Sequence, residues 1–217
     1  MKNFWFNWML PVALVSLAGS PSAFAQKWEI GGGVGGSFYT TQTVKNAAGS
    51  GDAGLSNGLA ASFYLGNNSS RTWAGELRYD YEKDNLSLKS SGTSTSFGAD
   101  THAIHYDFVM HFAPSEAKIR PFVSAGAGVK VYQGTGKESA FQPLSNVAFL
   151  TKTNDLRPLV SVGGGIKMAI SQRLQFRVEA RDALTPFPQN VIAPAQGSKV
   201  GGWLQDFVVM AGLSCTF

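Results

Sequence analysis

Eight times along this chain, apolar side chains recur at every second position while charged ones gather on the intervening positions. A period of two is the mark of a β-strand, in which successive side chains point to opposite faces. The sharpest stretch, residues 72–82, sets Trp73, Leu77, Tyr79 and Tyr81 against Glu76, Arg78, Asp80 and Glu82. In a water-soluble sheet the charges would be solvated outside and the large apolar groups would fill the interior. Here the crowded face carries Gly, Ala, Ser and charges, and the roomy face carries the bulky apolar groups. The alternation predicts an outer face free of Asp, Glu, Lys and Arg, because each charge at a bilayer midplane would cost about 2–4 kcal/mol. Hydrocarbon is the solvent that fits such a face.

The eight segments are residues 27–39, about 55–65, 72–82, about 100–112, 120–132, about 159–170, 173–184 and 203–217. Their connections alternate in length. Segments one, three, five and seven are followed by long polar stretches, residues 40–54, 83–99, 133–155 and 185–202; segments two, four and six by short ones, residues 66–71, 113–119 and 171–172. An even strand count with long loops on one side and short turns on the other is the topology of an antiparallel, up-and-down transmembrane barrel with both termini periplasmic. Aromatic residues follow the same direction: Trp28, Phe63, Trp73, Phe112 and Phe217 fall toward the short-turn end, and Phe38, Tyr79, Tyr81 and Trp203 toward the other. From Trp28 to Phe38 is ~33 Å along a strand, and the tilt of barrel strands brings that close to a ~25 Å apolar band.

Both termini fit the same compartment. Lys2, the apolar stretch from Phe4 to Leu17, the helix-breaking Gly19 and Pro21, and the small-residue pattern Ala23-Phe24-Ala25 form a secretory signal, with cleavage expected between Ala25 and Gln26. The predicted organisation is a leader over residues 1–25 and one barrel domain over residues 26–217. The last residues place Phe207, Val209, Leu213 and Phe217 on one face of the final strand. Left in water, that strand would be an aggregation-prone sheet edge; a closed barrel in a bilayer has no edge.

An eight-stranded barrel has its lumen filled by side chains, and buried charges are tolerated only when paired. Glu76, Arg78, Asp80 and Glu82 on segment three face Arg177, Glu179 and Arg181 on segment seven in a predicted salt-bridged ladder, with Lys130 and Lys167 joining from segments five and six and His105 and Asp107 from segment four. A network of this kind is either a plug or a narrow gated ion path. The lone Cys215 excludes an internal disulfide, and clusters of the C-x-x-C kind are absent, so neither cofactor nor metal is expected. The formal charge of +4, or +3 once Lys2 is removed, comes from scattered basic residues, which makes nucleic acid a poor partner.

The Phe217 ending resembles the C-terminal signal that barrel-insertion machinery reads in bacterial outer-membrane proteins. More broadly, the leader, the four hairpins, the Gly- and Ala-rich stretch from Phe122 to Tyr132, and Arg177-Val178-Glu179-Ala180-Arg181-Asp182 resemble the small eight-stranded OmpA-like and OmpX-like barrel families. The resemblance implies an integral protein of a Gram-negative outer membrane. It spans passive structural barrels, adhesins, surface-binding proteins and a few lipid-modifying enzymes, so it specifies architecture rather than activity.

An enzyme of that kind would need a His with Ser and an acid near the outer leaflet. His102 lies near the outer end on the lipid face but is followed by Ala103, and no compact His, Ser and acid set emerges; His105 and His111 read as members of the internal polar network. Among the loops, residues 133–155 carry Phe141, Leu144, Val147, Phe149 and Leu150, enough to cap the mouth or to make a binding surface for an extracellular ligand. Lys45, Lys89, Lys137, Lys152 and Lys199 lean the loops toward anionic lipid head groups such as those of lipopolysaccharide. The Gly49-Ser50-Gly51 stretch and residues 90–96 read as mobile. The sequence therefore predicts a structural or surface-interaction barrel without catalysis; a narrow channel and a lipid-modifying enzyme are the alternatives.

Overall fold

A computed structural model describes residues 28–47, 49–137 and 141–217. The expected leader, with its expected cleavage between Ala25 and Gln26, lies outside the described residues. Among the described residues twelve strands occur in chain order: β1 (Trp28–Tyr39), β2 (Thr41–Asn46), β3 (Gly49–Leu55), β4 (Gly58–Asn67), β5 (Trp73–Ser90), β6 (Thr93–His111), β7 (Ile119–Gly134), β8 (Ala148–Leu150), β9 (Asn154–Ala169), β10 (Leu174–Pro186), β11 (Ile192–Pro194) and β12 (Trp203–Thr216). Eight of them, β1, β4, β5, β6, β7, β9, β10 and β12, pair antiparallel with their neighbours, and the β1–β12 and β5–β6 pairings close the ring. Every ring strand thus has two hydrogen-bonded neighbours, which leaves no edge within the ring.

The faces divide by parity. Outward side chains include Val34, Leu59, Leu77, Ile104, Phe108, Val129 and Val162, all at least two-fifths exposed despite their size. The inward positions bury Glu29, Glu76, Arg78, Asp80, Asp107, Lys130, Lys167 and Arg177. Phe207, Val209, Leu213 and Phe217 all project outward with β12 or just beyond it, and Cys215 shares their exposed face. The expected charge-free face holds across the middle of the cylinder but not at its long-loop end. There Lys83, Asp100 and Asp182 share the outward parity of the lipid-facing residues.

The long connections are not the polar loops that their composition predicts. β5 and β6 run for 18 and 19 residues, well beyond the 9–11 or so that a bilayer requires. They meet in a two-residue turn, Ser91-Gly92, with φ of 46° and 83°; two consecutive positive φ values match the right-handed twist of the flanking strands. β2 and β3 extend the first hairpin, and β3 adds to β5 from Asp52↔Lys89 to Leu55↔Leu86. Gly49–Gly51 and Thr93–Ser96, expected to be mobile, are therefore paired strand. Periodicity does not register them because a Ser-, Thr- and Gly-rich stretch has no apolar face.

Above the band the polarity of the faces inverts. On β5 the inward parity that carries Glu82 and Asp84 continues as Leu86 and Leu88, while the outward parity turns to Asn85, Ser87 and Lys89. Leu86 and Leu88 join Val44, Leu55, Phe97, Ala99, Leu144, Val147, Leu150, Val191, Ile192 and Leu204 in one buried apolar cluster. The small sheet of β8 and β11 crosses this cluster, with Ile192↔Leu150 as one of its pairs. The inversion follows from the surroundings: once the wall leaves lipid for water, its polar side must turn out and its apolar side in. The result is a crown that closes the long-loop end of the cylinder. Of the apolar residues in 133–155, Leu144, Val147 and Leu150 lie in its core, whereas Phe141 and Phe149 remain exposed.

Candidate functional site

The chemistry-bearing residues converge in the lumen because inward positions on a closed ring face one another. β5 and β10 stand diametrically opposite, four strands apart in either direction. Across that diameter Arg177 donates to Glu76 at 2.7 Å, and Arg78 pairs with Glu179. Arg177 also reaches Glu179 on its own strand at 2.7 Å, and Arg78 reaches Glu76 at 3.1 Å. Four side chains on two opposed strands thus form a crossed set of ion pairs. Arg78 and Arg177 lie over the Tyr64 ring at 4.8 and 4.6 Å from its centroid, and Arg177 lies over Phe122 at 4.3 Å. Planar guanidinium groups suit this double role of forked donor and stacking partner.

Toward the short turns, Lys167 donates to Glu29 at 2.7 Å and approaches Glu76 at 3.4 Å, while the Tyr64 hydroxyl donates to Glu29 at 3.2 Å. Toward the crown, Arg181 donates to Asp107 at 2.8 Å, with Ser161 donating to the same carboxylate at 2.9 Å. His105 stands between two acids: Nδ1 faces Asp107 and Nε2 faces Asp80, each at 2.9 Å. Only a ring protonated on both nitrogens donates to both. Longer approaches of Arg78 to Asp107, at 3.7 Å, and of Arg181 to Glu179, at 3.9 Å, join these contacts into one network from Lys167 to Asp80.

Lys130 and Glu82 stand apart from it. Lys130 donates to Glu82 at 2.9 Å and to Asp206 at 2.6 Å, and Glu82 also accepts from the hydroxyls of Thr101, at 3.0 Å, and Tyr39. Glu82, expected in a ladder with the arginines of segment seven that Lys130 joins, meets the Lys130 ammonium from β7 rather than an arginine. His111, expected in the polar network, is buried beside Phe122 with no hydrogen-bond partner on either ring nitrogen.

The sequence placed Glu29, Tyr64, Ser161 and Asp206 on the inner face without assigning them partners, and it missed Tyr39, Thr101 and Asp84. Asp84, which accepts from Ser37 at 2.9 Å, was hidden in a presumed loop, although it continues the parity of Glu82. The hydroxyl groups carry no such signal, since Ser, Thr and Tyr occupy either face of a strand. Between the crossed pairs and β1, a cavity lined by Gly32, Tyr64, Arg78, Arg177 and Glu179 leaves about 10 Å³, room for at most one water. Among the described residues, no group of three His, Cys, Asp or Glu side chains is arranged to hold a metal ion.

Comparison with known proteins agrees with this architecture. The family model for the outer membrane protein beta-barrel domain matches residues 10–213. Among solved structures, OprG of Pseudomonas aeruginosa superposes with a TM-score of 0.61 at 10% identity, over 88% of this chain and 95% of that one. Neisserial surface protein A superposes with a TM-score of 0.55 at 11% identity, over 89% and 98%. AlkL, whose structure was determined in lipid bilayers, gives 0.52 at 12% identity, over 92% and 94%. No curated protein matches the sequence significantly. At such identities the likeness extends to the fold and not to activity.

Proposed function

The chain belongs to the outer membrane protein beta-barrel domain family, as an integral protein of the Gram-negative outer membrane, and from that premise we propose that it is a closed, non-catalytic barrel with a structural or surface-interaction role. Both termini lie in the periplasm and the crown faces the medium. The observation that carries this reading is the crossed ion-pair set between opposite walls, with the apolar crown above it. An ion entering from outside would meet buried Leu and Val side chains first. It would then have to replace guanidinium groups that are already paired. Outer-membrane lipids, lipopolysaccharide among them, and the insertion machinery are the partners this architecture needs; the crown is the surface available to an extracellular ligand.

The protein reconstituted in a planar bilayer is expected to carry no steady current, with at most rare openings. A sustained open level in most insertions would overturn the closed lumen. The absence of catalysis is supported by the histidines: the polar neighbour of His102 is Tyr79, at 2.8 Å, and His105 is held between two acids beneath the crown. Among the described residues, neither ring hydrogen-bonds to a Ser that could serve as nucleophile. Lipid A from cells with and without the protein is therefore expected to have the same mass spectrum, and a protein-dependent change in acyl or phosphate content would point to lipid chemistry instead.

A further inference from the structure

On the outward face, at the crown end of β5 and β6, five polar side chains cluster above a wall that is apolar through its middle. Tyr79, Tyr81 and Lys83 come from β5, and Asp100 and His102 from β6. The register sets Tyr81 opposite His102 and Lys83 opposite Asp100. Tyr79 Oη lies 2.8 Å from His102 Nδ1, and the Tyr81 hydroxyl donates to Asp100 Oδ1 at 3.0 Å. The Tyr81 and His102 rings are 5.3 Å apart, inclined at 46°. Elsewhere the ends of the band carry separate rings such as Trp28, Trp73 and Phe38, the usual aromatic belt. Here two tyrosines are locked to ionisable partners.

From this cluster we propose a docking site for the phosphorylated sugar headgroup of an outer-leaflet glycolipid. The proposal rests on the orientation given above, with the crown outside. When Tyr79 donates to His102 Nδ1, the ring proton sits on Nε2, which has no partner among the described residues and remains a donor. Lys83 is exposed and makes no ion pair among the described residues, so its ammonium is a second donor for the same phosphate. Asp100 would weaken the binding of a bare phosphate. Its second carboxylate oxygen instead accepts from a sugar hydroxyl or amide, and the Tyr81 ring offers a face for the sugar's C–H groups. A phospholipid phosphate satisfies the two donors, and a glycerol or ethanolamine headgroup can also donate to Asp100, but neither presents an array of sugar C–H groups to the Tyr81 ring. The combination therefore selects a glycolipid.

The test uses the refolded mature protein in nanodiscs and measures binding of bisphosphorylated lipid A and of phosphatidylglycerol by native mass spectrometry. The Lys83→Ala/His102→Ala double variant is expected to lose about tenfold or more in lipid A affinity, the scale of losing charge-assisted hydrogen bonds. Lys89→Ala, on the hairpin tip, should bind lipid A as the wild type does, and phosphatidylglycerol should bind both proteins weakly. Unchanged lipid A affinity in the double variant, or equal competition by phosphatidylglycerol, would overturn the site. Orientation is checked separately by labelling Ser91→Cys in a Cys215→Ser background on intact cells. Failure to label would overturn the orientation, whereas labelling with unaltered lipid A binding would overturn the docking site alone.

Discussion

Truncating Arg78 to alanine is expected to destabilise the folded barrel by about 3–5 kcal/mol, the scale for removing one partner from a buried ion pair. Its guanidinium serves Glu179, Glu76 and Ser62, and it is 1% exposed. Without it, Glu179 retains Arg177 and a longer 3.9 Å approach from Arg181, while Glu76 retains Arg177 and Lys167. Two carboxylates then share fewer cations in a space that admits little water, and desolvation that the pairing had offset becomes a net cost. Reversible urea unfolding in phospholipid vesicles measures the change. The Arg78→Met/Glu179→Leu variant should lose less than the two single changes together, with a coupling of about 1 kcal/mol or more, since contacting members of one network do not add. A single variant within about 1 kcal/mol of the wild type would mean that water, and not Glu179, satisfies this arginine.

The second large effect is expected on the opposite side of the same strand. Leu77 lies midway between Trp73 and Tyr81, is 52% exposed, and is flanked by Leu65 on β4 and Tyr106 on β6. Leu77→Arg should cost about 2–4 kcal/mol, the penalty for a cation on a barrel's lipid face near the midplane. Asn85→Arg, on the same face eight residues further along, should stay within about 0.5 kcal/mol, as for an ordinary water-facing position. The difference between them measures the depth of the hydrocarbon along β5. Equal costs at the two positions would remove lipid from the account of this face.

The cylinder was legible in the sequence because lipid imposes a strict rule. Every second residue of residues 72–82 or 120–132 had to be apolar, and that periodicity survives any uncertainty about strand ends. Which inward residues would be charged was equally plain, down to Glu76, Arg78, Arg177 and Glu179. Their choice of partner was not, because strand stagger decides which side chains meet across the lumen, and stagger depends on the register of all eight pairings. Lys130 with Glu82 and Asp206 is the clearest instance. The crown was hidden for another reason. Val44, Leu86, Leu88 and Phe97 do alternate with polar neighbours, but Ser, Thr, Gly and Lys on the other parity read as loop composition. The parity of Glu82 and Asp84 persists into Leu86 and Leu88 while its polarity switches. Asp100 and Asp182 were overlooked on the outer face for the converse reason: they lie just where that switch begins.

The switch gives the two halves of one strand separate obligations to selection. Below it, a replacement is judged by acyl chains and by a lumen without spare room; above it, by the rules that govern any water-soluble β-protein, under which a buried Leu can become Val or Met with modest loss. Surface contacts made by the crown can therefore change while the staves that carry it stay constant. Novelty in recognition would accumulate at one end of this molecule without disturbing the way it enters the membrane.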